Sequence, residues 1–405
     1  MKRIDTESLA NVKFEMQWKS LRATHTEIYE ARGLNMWRDC IPETLFKELV
    51  GKTVGDMVTT HFDPGFITSG YDPRKTFAVK LSQFNQGFIP DKIVKPRIGR
   101  FYPKGLLKGI AGVFPQNFHP FRLVGVQNGQ LDVDFNHPLA KAEVQLRTSI
   151  KKIDLRKTEL GGRCYDWAEI ITDGPGMQAR WEDRPTDFLI DDPFRRTDNS
   201  PDPVFYDRPR WVQHIDDTAI QVVEDLYSGL LKNGFRVLDL MSSWQSHIPS
   251  ELRLEKLTGL GLNREELDKN RILDNSVIHD LNADPTLPFE NNEYDAVICT
   301  NSVEYLIHPE AVFDELARIL RPNGLAIMIF SNRWFPPKVI QIWEELHEFE
   351  RMGLVLEYFQ KTGKFKDLET HSVRGLPRTW DDKYFPENPY SDPVYAVWGR
   401  KEFKS

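Results

Sequence analysis

Cysteine is scarce in this chain of 405 residues, which contains only Cys40, Cys164 and Cys299. The three are far apart and odd in number, so the sequence predicts neither a disulfide framework nor the paired spacing of a zinc site. No metal site is expected. Such sparse cysteine use favours a reducing, cytoplasmic setting.

Long apolar runs are also missing. No run approaches the roughly 18 apolar residues that a membrane-spanning helix needs, and the first thirty residues lack the apolar core of a secretory signal. A basic excess is absent too, because the net charge is -7. This charge argues against a general nucleic-acid binder, so neither nucleic acid nor a membrane is expected as a partner.

The composition that remains is that of an ordinary globular protein, with 40% hydrophobic and 28% charged residues. The length predicts two or three domains. We interpret residues 1–50 as an N-terminal helical extension, in which Pro42 opens a short helix. Residues 51–155 hold short apolar runs bounded by Gly, Pro and Asn, which predicts a mainly-β domain. Residues 156–207 are rich in Pro, Asp and Arg and predict either a linker or a cap over a substrate mouth.

Residues 208–401 alternate between strands and helices. A helix with Asp217 or Thr218 as N-cap comes first, and the continuous apolar strands RVLDL, LTGLGL, SVIH, YDAVICT and LAIMIFS follow. This pattern predicts an α/β fold with a doubly wound, mostly parallel sheet. The final run VYAVWGRK is predicted as a closing edge strand. Ligands bind such sheets at the carboxyl ends of the strands.

The order of these segments resembles class I S-adenosylmethionine-dependent methyltransferases of the type 11 kind. The resemblance rests on the HDLNADPTLPF block, the YDAV strand and the LRPNG turn, and covers about residues 208–401. It implies a seven-stranded Rossmann-like sheet and S-adenosyl-L-methionine as the cofactor. The acceptor of the methyl group is left open.

The loop after the first strand departs from that family because it contains no glycine. The run VLDLMSSWQSHIP is similar to a small group of bacterial, cyanobacterial and plant methyltransferase-like proteins that carry a Met-Ser-Ser-Trp loop. This resemblance implies a working variant of the loop but supplies no substrate. The cofactor-binding candidates that follow from it are Asp239, Ser242, Ser243, Asn263, Asp280, Leu281 and Asn301.

Asn263 stands where the family usually has a carboxylate for the ribose hydroxyls. An amide can still bond to a hydroxyl, but it does so without the assistance of a charge. Asp280 and Leu281 look like the pair that recognises adenine. A helix-cap role for Asp280 is the alternative.

Methyl transfer depends mainly on positioning, and a base helps when the acceptor is a hydroxyl or an amine. The candidates for catalysis follow the fourth and fifth strands: Glu304, Tyr305 and Asn332. The candidates for substrate binding are Arg208, His214, Arg333 and Trp334. Each of these side chains could instead be a helix cap, a surface charge or a core aromatic.

The run VDFNHPLA, from Val133 to Ala140, resembles the C-terminal strands of FKBP-type prolyl isomerases of the bacterial flap-inserted branch. The resemblance covers about residues 51–155 and implies a module that recognises a substrate or protein partner. A catalytic isomerase would need an open apolar pocket. The aromatic candidates for its lining, which could equally be core residues, are Phe62, Phe101, Tyr102 and Phe121.

Three hypotheses therefore stand. The first is a methyltransferase that acts on an unidentified small-molecule or protein acceptor, with an FKBP-like recognition domain. The second is a non-catalytic binding module that keeps the methyltransferase fold, suggested by the missing glycines and by Asn263. The third is a prolyl isomerase or chaperone.

Overall fold

The computed structural model describes residues 2–90, 92–154, 162–189 and 191–403. The chain divides into two compact units. The first unit comprises Met1–Arg22, Ala31–Asp191 and Leu346–Leu354, and the second comprises Ala23–Glu30, Asp192–Glu345 and Val355–Ser405. Within the described ranges, no helix is both long enough and apolar enough to cross a bilayer.

The first unit is built mainly from β-strands. In chain order the elements of this part of the chain are β1 (Leu9–Lys19), β2 (Ala23–Asn35), α1 (Glu43–Leu49), β3 (Met57–Phe62), β4 (Thr76–Lys80), β5 (Phe101–Pro103), β6 (Pro120–Gln127), β7 (Gln130–Asp134), β8 (Val144–Asp154) and α2 (Trp167–Thr172). Strand β8 pairs antiparallel with both β1 and β3. A second, antiparallel sheet has the order β4-β7-β6-β5.

The predicted strands between residues 51 and 155 match β3, β4, β6, β7 and β8. Residues of β4, β6 and β7 contribute to one hydrophobic core, in which Phe121, Leu123, Leu131 and Val133 are fully buried beside Tyr102. Phe62 and Phe101 are also buried. The four candidate pocket aromatics are therefore core residues.

The predicted helical extension over residues 1–50 is wrong in secondary structure. Only α1 is helical there, and the long strands β1 and β2 precede it. In β1, buried residues alternate with partly exposed ones from Ala10 to Trp18. That period of two is the signature of a strand with one face in the core, and the sequence carries it in the alternation of Val12, Phe14, Met16 and Trp18 with polar residues.

The second unit contains the α/β sheet. Its elements are α3 (Asp202–Phe205), α4 (Asp217–Leu230), β9 (Arg236–Leu240), β10 (Lys256–Gly261), α5 (Arg264–Lys269), β11 (Asn275–Ile278), β12 (Tyr294–Thr300), α6 (Pro309–Ile319), β13 (Leu320–Phe330), α7 (Gln341–Glu345), α8 (Glu348–Thr362), β14 (Phe365–Arg374) and β15 (Val394–Lys401). The first residues of α8 belong to the first unit.

The strands of the second unit are ordered β11-β10-β9-β12-β13-β15-β14. The five strands from β11 to β13 are parallel, and β15 runs antiparallel to both of its neighbours, so the sheet is mixed. The order reverses between β9 and β12. A crevice forms outside the carboxyl ends of the strands at such a switch point.

Strand β15 corrects one prediction, because it lies between β13 and β14 instead of closing an edge. Its first six residues are buried. Beyond it, β14 pairs in parallel with the residues of β2 from Ala23 to Tyr29, which belong to the second unit.

Helix α4 covers one face of this sheet. Its N-cap is Asp216, not Asp217 or Thr218, because the Asp216 carboxylate accepts hydrogen bonds from the N–H groups of Thr218 and Ala219. The helix buries one apolar side, and each large side chain buried there contributes about 1.5–3 kcal/mol. The core contacts between α4, β9 and β12 involve Ala219, Val223, Tyr227, Val237, Ala296 and Ile298.

Candidate functional site

A cleft of about 790 Å³ opens at the carboxyl ends of β9, β10, β11 and β12, and we call it the first cleft. Each of these strands delivers polar residues to it through the loop that follows. The lining includes Met241, Ser242 and Ser243 after β9, Asn263 and Glu266 after β10, Asp280, Leu281 and Asn282 after β11, and Asn301, Ser302 and Tyr305 after β12.

The glycine-free loop begins with Met241 in the left-handed region, at φ 58°. The next residue, Ser242, donates its hydroxyl to the Asp239 carboxylate at 2.6 Å, and its N–H bonds to the Leu260 carbonyl at 2.7 Å. Asp239 is buried at the end of β9 and does not line the cleft. Burial raises the pKa of Asp239 to about 6, although the Ser242 hydrogen bond lowers it. Asp239 therefore fixes the loop through its hydrogen bond with Ser242 and does not contact a ligand in the cleft.

The close backbone approach that usually requires glycine in this loop occurs instead on the neighbouring strand. A Cβ atom at Gly261 would lie 2.3 Å from the Ser242 carbonyl oxygen. Only glycine fits at this position, so the loop residue Ser242 packs directly on the end of β10. The sequence signal for this contact is the second glycine of LTGLGL, which a strand prediction alone does not single out.

Asn263 does not present its side chain freely to the cleft. Its Nδ2 donates to the carbonyls of Tyr206 and Asp207, at 2.9 and 3.0 Å, and its Oδ1 accepts the N–H of Glu266 at 3.1 Å. Asn263 is thus the N-cap of α5.

Glu266 is a cleft residue that the sequence interpretation missed. One of its carboxylate oxygens accepts the N–H of Arg210 at 2.7 Å, and the other accepts the Ser243 hydroxyl at 2.6 Å. These bonds fix the carboxylate against the Met-Ser-Ser-Trp loop. The signal was present as an Asn-Arg-Glu-Glu run, because an N-cap followed three residues later by Glu marks the first turn of a helix.

Asp280 follows β11 and lines the first cleft. Its Oδ1 accepts the N–H groups of Asn282 and Ala283, at 2.9 and 3.3 Å. Its Oδ2 makes no hydrogen bond with any residue that the structure describes. Asp280 can therefore serve both as a turn cap and as an acceptor for a ligand, while the neighbouring Leu281 side chain is buried.

Asn301 has φ 50° and lies at the end of β12. Its Oδ1 is buried, and among the described residues nothing donates a hydrogen bond to it. A buried acceptor without a donor is costly. A ligand in the cleft is the simplest source of that donor.

A second cleft, of about 1710 Å³, adjoins the first. The two clefts share four lining residues: His214, Asn301, Tyr305 and Phe335. Asn332, Arg333 and Trp334 line only the second cleft, where Arg333 pairs with Asp392 at 3.3 Å. Arg208 is exposed and is not among the lining residues of either cleft.

The two catalytic candidates after β12 are placed differently. Glu304 is only 1% exposed and lines neither cleft. Tyr305 lines both, and its hydroxyl accepts the N–H of Phe335 at 2.8 Å. Burial raises the pKa of Tyr305 well above its ordinary value, so its hydroxyl stays protonated at neutral pH.

His214, like Tyr305, is a titratable residue that lines both clefts and whose neutral form is favoured. Its ring lies 5.2 Å from that of Phe335, edge to face. Desolvation lowers the pKa of His214, although the Glu266 carboxylate raises it. At neutral pH the imidazole is therefore uncharged and able to accept a proton.

The C-terminal end of the Pro/Asp/Arg-rich segment also contributes to the first cleft, through Asp202 and Tyr206. Asp202 is buried and pairs with Arg196 at 2.8 Å and with the fully buried Lys338 at 3.2 Å. Asn282 donates to Asp202 at 2.7 Å. This part of the segment is thus held in the wall of the cleft by charge pairing.

Comparison with known proteins gives one family match. Residues 245–328 match the Methyltransf_11 family, a methyltransferase domain. A ubiquinone/menaquinone biosynthesis C-methyltransferase of Chromobacterium violaceum is 34% identical over 83 residues, which cover 20% of this chain and 34% of the relative. Its counterpart in Brucella canis is 26% identical over 163 residues, which cover 39% and 56%. The chain thus spans only one third to just over half of the length of these relatives.

Solved structures of S-adenosylmethionine-dependent methyltransferases are also similar. The protein from Aquifex aeolicus is 16% identical, with 49% of this chain and 97% of that chain covered and a TM-score of 0.30. The protein from Mesorhizobium loti is 15% identical, with 44% and 96% covered and a TM-score of 0.30. Such low TM-scores carry no argument about function. Residues 245–328 of the second unit thus match a methyltransferase domain, and this match supports S-adenosyl-L-methionine as the cofactor.

Proposed function

We propose that the second unit transfers a methyl group from S-adenosyl-L-methionine, held in the first cleft, to an acceptor in the second cleft. The observation that carries this proposal is the shared wall of His214, Asn301, Tyr305 and Phe335. Because the two clefts meet at these residues, a ligand in each cleft would have its reacting group close to that of the other. Positioning of this kind supplies most of the barrier reduction in methyl transfer.

The donor set of the first cleft suits this cofactor. Asp280 Oδ2 is available for the exocyclic amine of adenine. The Glu266 carboxylate, anchored by Arg210 and Ser243, can accept the ribose hydroxyls. Asn263 is committed to capping α5, so we assign the ribose contact to Glu266 in its place. Asn301 Oδ1 accepts no hydrogen bond from the described residues, and the ammonium group of the cofactor can donate one to it.

When bound, S-adenosyl-L-methionine supplies a methyl group that is already activated by its sulfonium. The protein must then orient the acceptor and, for a hydroxyl or amine, remove a proton. We propose His214 for that proton, since its imidazole is neutral and borders both clefts. Glu304 is buried outside both clefts and is a poor candidate.

The acceptor site lies in the second cleft, where we expect Asn332, Arg333 and Trp334 to contact the substrate. The acceptor itself is not identified by these residues. For the first unit we propose recognition of the substrate or of a protein partner, in line with its FKBP-like sequence run. Its candidate pocket aromatics are buried in the core, which favours recognition over prolyl isomerisation.

Titration calorimetry of the full chain with S-adenosyl-L-methionine and S-adenosyl-L-homocysteine tests the proposal. We expect both to bind with one-to-one stoichiometry in the micromolar range. A folded protein that gives no binding heat with either compound at several temperatures would contradict the proposal and favour the non-catalytic module.

A further inference from the structure

We propose that Cys40 and Cys164 are a redox-modification site, at which a small-molecule disulfide of the glutathione class converts the two thiols to a disulfide. The two sulfur atoms lie 4.0 Å apart, although 124 positions separate the residues in the sequence. Both residues are exposed, and both belong to the first unit. The site is therefore independent of the proposed methyl transfer.

Backbone contacts bring these thiols together. The N–H of Cys40 bonds to the Tyr165 carbonyl at 2.8 Å, and the Cys40 carbonyl accepts the N–H of Trp167 at 3.0 Å. The Asp39 carboxylate accepts the N–H of Tyr165 at 3.2 Å and the indole N–H of Trp167 at 2.8 Å. Two backbone hydrogen bonds and two hydrogen bonds to the Asp39 carboxylate therefore hold together the segments that carry the two thiols.

Closing the pair requires little movement. A disulfide bond is about 2 Å long, so the sulfurs must approach by roughly 2 Å from their present separation of 4.0 Å. Cys164 now donates its thiol hydrogen to the Arg38 carbonyl at 3.1 Å, and that bond is lost on oxidation. A metal site is a poorer explanation, because the described part of the chain holds no group of three or more His, Cys, Asp or Glu residues that could bind a metal ion.

A reagent can reach both thiols, because they line a groove of about 2000 Å³ within the first unit. The third cysteine differs in this respect. Cys299 is fully buried in β12, and burial raises the pKa of its thiol well above the ordinary value. Thiolates are the reactive form, so Cys299 should stay reduced and serve as an internal control.

The chemistry is a two-step exchange. One cysteine thiolate attacks oxidised glutathione, whose sulfur–sulfur bond breaks, and one glutathione thiolate leaves. The second cysteine thiolate then attacks the protein sulfur of this mixed disulfide and releases the second glutathione. The two cysteines lose two electrons and two protons, and oxidised glutathione becomes two thiols. The Cys164 thiol raises the pKa of Cys40, so the exchange should be faster at higher pH.

The test uses the full native chain in glutathione buffers of increasing oxidised fraction. After alkylation and unfolding, the remaining thiols are counted and the peptides are mapped by mass spectrometry. We expect the thiol count to fall from three to one, with a peptide pair linked through Cys40 and Cys164. Reduced glutathione should restore all three thiols, since exchange is reversible.

The variants Cys40→Ser and Cys164→Ser are the matched controls, and each should form at most a glutathione adduct on its remaining exposed cysteine. Three outcomes for the unmodified chain would overturn the proposal. They are glutathione adducts on both cysteines without a linked peptide, disulfide-linked dimers, or three retained thiols in buffers that oxidise an unstructured peptide with two cysteines.

Discussion

Asp280 carries two tasks at the residue scale, and one substitution separates them. In Asp280→Asn the amide oxygen can still accept the N–H groups of Asn282 and Ala283, but the negative charge on the second oxygen is gone. A hydrogen bond to a charged group is worth about 1.5–3 kcal/mol, so affinity for S-adenosyl-L-methionine should fall about tenfold or more. Calorimetry measures the affinity, and an unchanged melting temperature shows that the turn survives.

The matched control is Asp284→Asn, which alters an exposed carboxylate that likewise caps a turn, by accepting the N–H of Thr286. It should bind the cofactor as tightly as the unmodified chain. Equal losses in both variants would mean that Asp280 is only a turn cap.

Glu266 should matter more to cofactor binding than Asn263. We expect Glu266→Gln to weaken cofactor affinity about tenfold, because an amide accepts ribose hydroxyls without charge assistance. Glu265→Gln, an exposed change on the same helix, should leave the affinity unchanged. Calorimetry again gives the result.

Asn263→Asp provides the converse experiment. It restores the family's usual carboxylate but removes the amide donor to the Tyr206 and Asp207 carbonyls. Stability should therefore fall without a gain in affinity. If Asn263→Asp tightened binding while Glu266→Gln had no effect, the ribose assignment would be reversed.

Only some of the residues that line the first cleft could be predicted from the sequence. Asp280 and Asn301 could be placed at the cleft, because the ends of parallel strands meet at one edge of a sheet. Glu266 and Gly261 could not, since their roles depend on which loop packs on which strand. The hydrogen bonds of Asn263 to residues 206 and 207 are likewise long-range contacts that no local pattern encodes.

Among the structural elements, helix α4 begins at a buried network of charged residues that lines the second cleft. The Arg378 guanidinium is almost fully buried and lies 2.7 Å from Asp392 and 3.5 Å from Asp216, the N-cap of the helix. Arg378→Met leaves the buried Asp216 carboxylate without this cation, and Asp392 keeps its pairing with Arg333. Breaking a buried pair in this way costs about 3–5 kcal/mol.

Urea unfolding should register this loss as a large fall in the midpoint. Lys383→Met removes an exposed cation from the same cleft and should change the midpoint little. Similar effects of the two substitutions would show that the network does not stabilise α4.

The pairing of β2 with β14 should make the fold sensitive to acid. His25 is fully buried, its Nδ1 lies 2.7 Å from the Thr370 hydroxyl, and burial lowers its pKa from 6.5 to about 3. Below about pH 6.5, His25 binds a proton in the unfolded chain but not in the folded chain. The free energy of unfolding therefore falls as the pH drops from 6.5 towards 3. Between about pH 7 and pH 5 the loss should be about 2 kcal/mol.

Urea unfolding as a function of pH measures this slope. His25→Phe keeps an aromatic ring but cannot be protonated, so its own slope over the same range should be smaller by that amount. An identical slope in the variant would assign the acid sensitivity to other groups.

The same two strands explain which elements the sequence predicted poorly. Strands β9, β10, β12 and β13 are continuous apolar runs and were predictable. Strand β14 was missed because its buried positions include Thr370 and Ser372. Their hydroxyls bond to His25 and Glu27 on β2. Polar residues satisfied by a distant strand leave no hydrophobic period to recognise.

In the whole molecule, the two units have different proposed tasks. Both clefts, and every residue proposed to bind the cofactor or the acceptor, belong to the second unit. The thiol pair and residues 133–140 belong to the first. Cofactor binding should therefore change local stability in the second unit alone, while oxidation should modify only the first.

Amide hydrogen exchange of the full chain, with and without saturating S-adenosyl-L-methionine, tests whether the first cleft binds the cofactor. Local protection reports which segments a ligand stabilises. We expect the bound cofactor to slow exchange in residues 241–246, 261–267, 279–283 and 301–305 and to leave exchange in residues 57–134 unchanged. Protection confined to the first unit, or no protection in any of these four segments, would contradict this expectation.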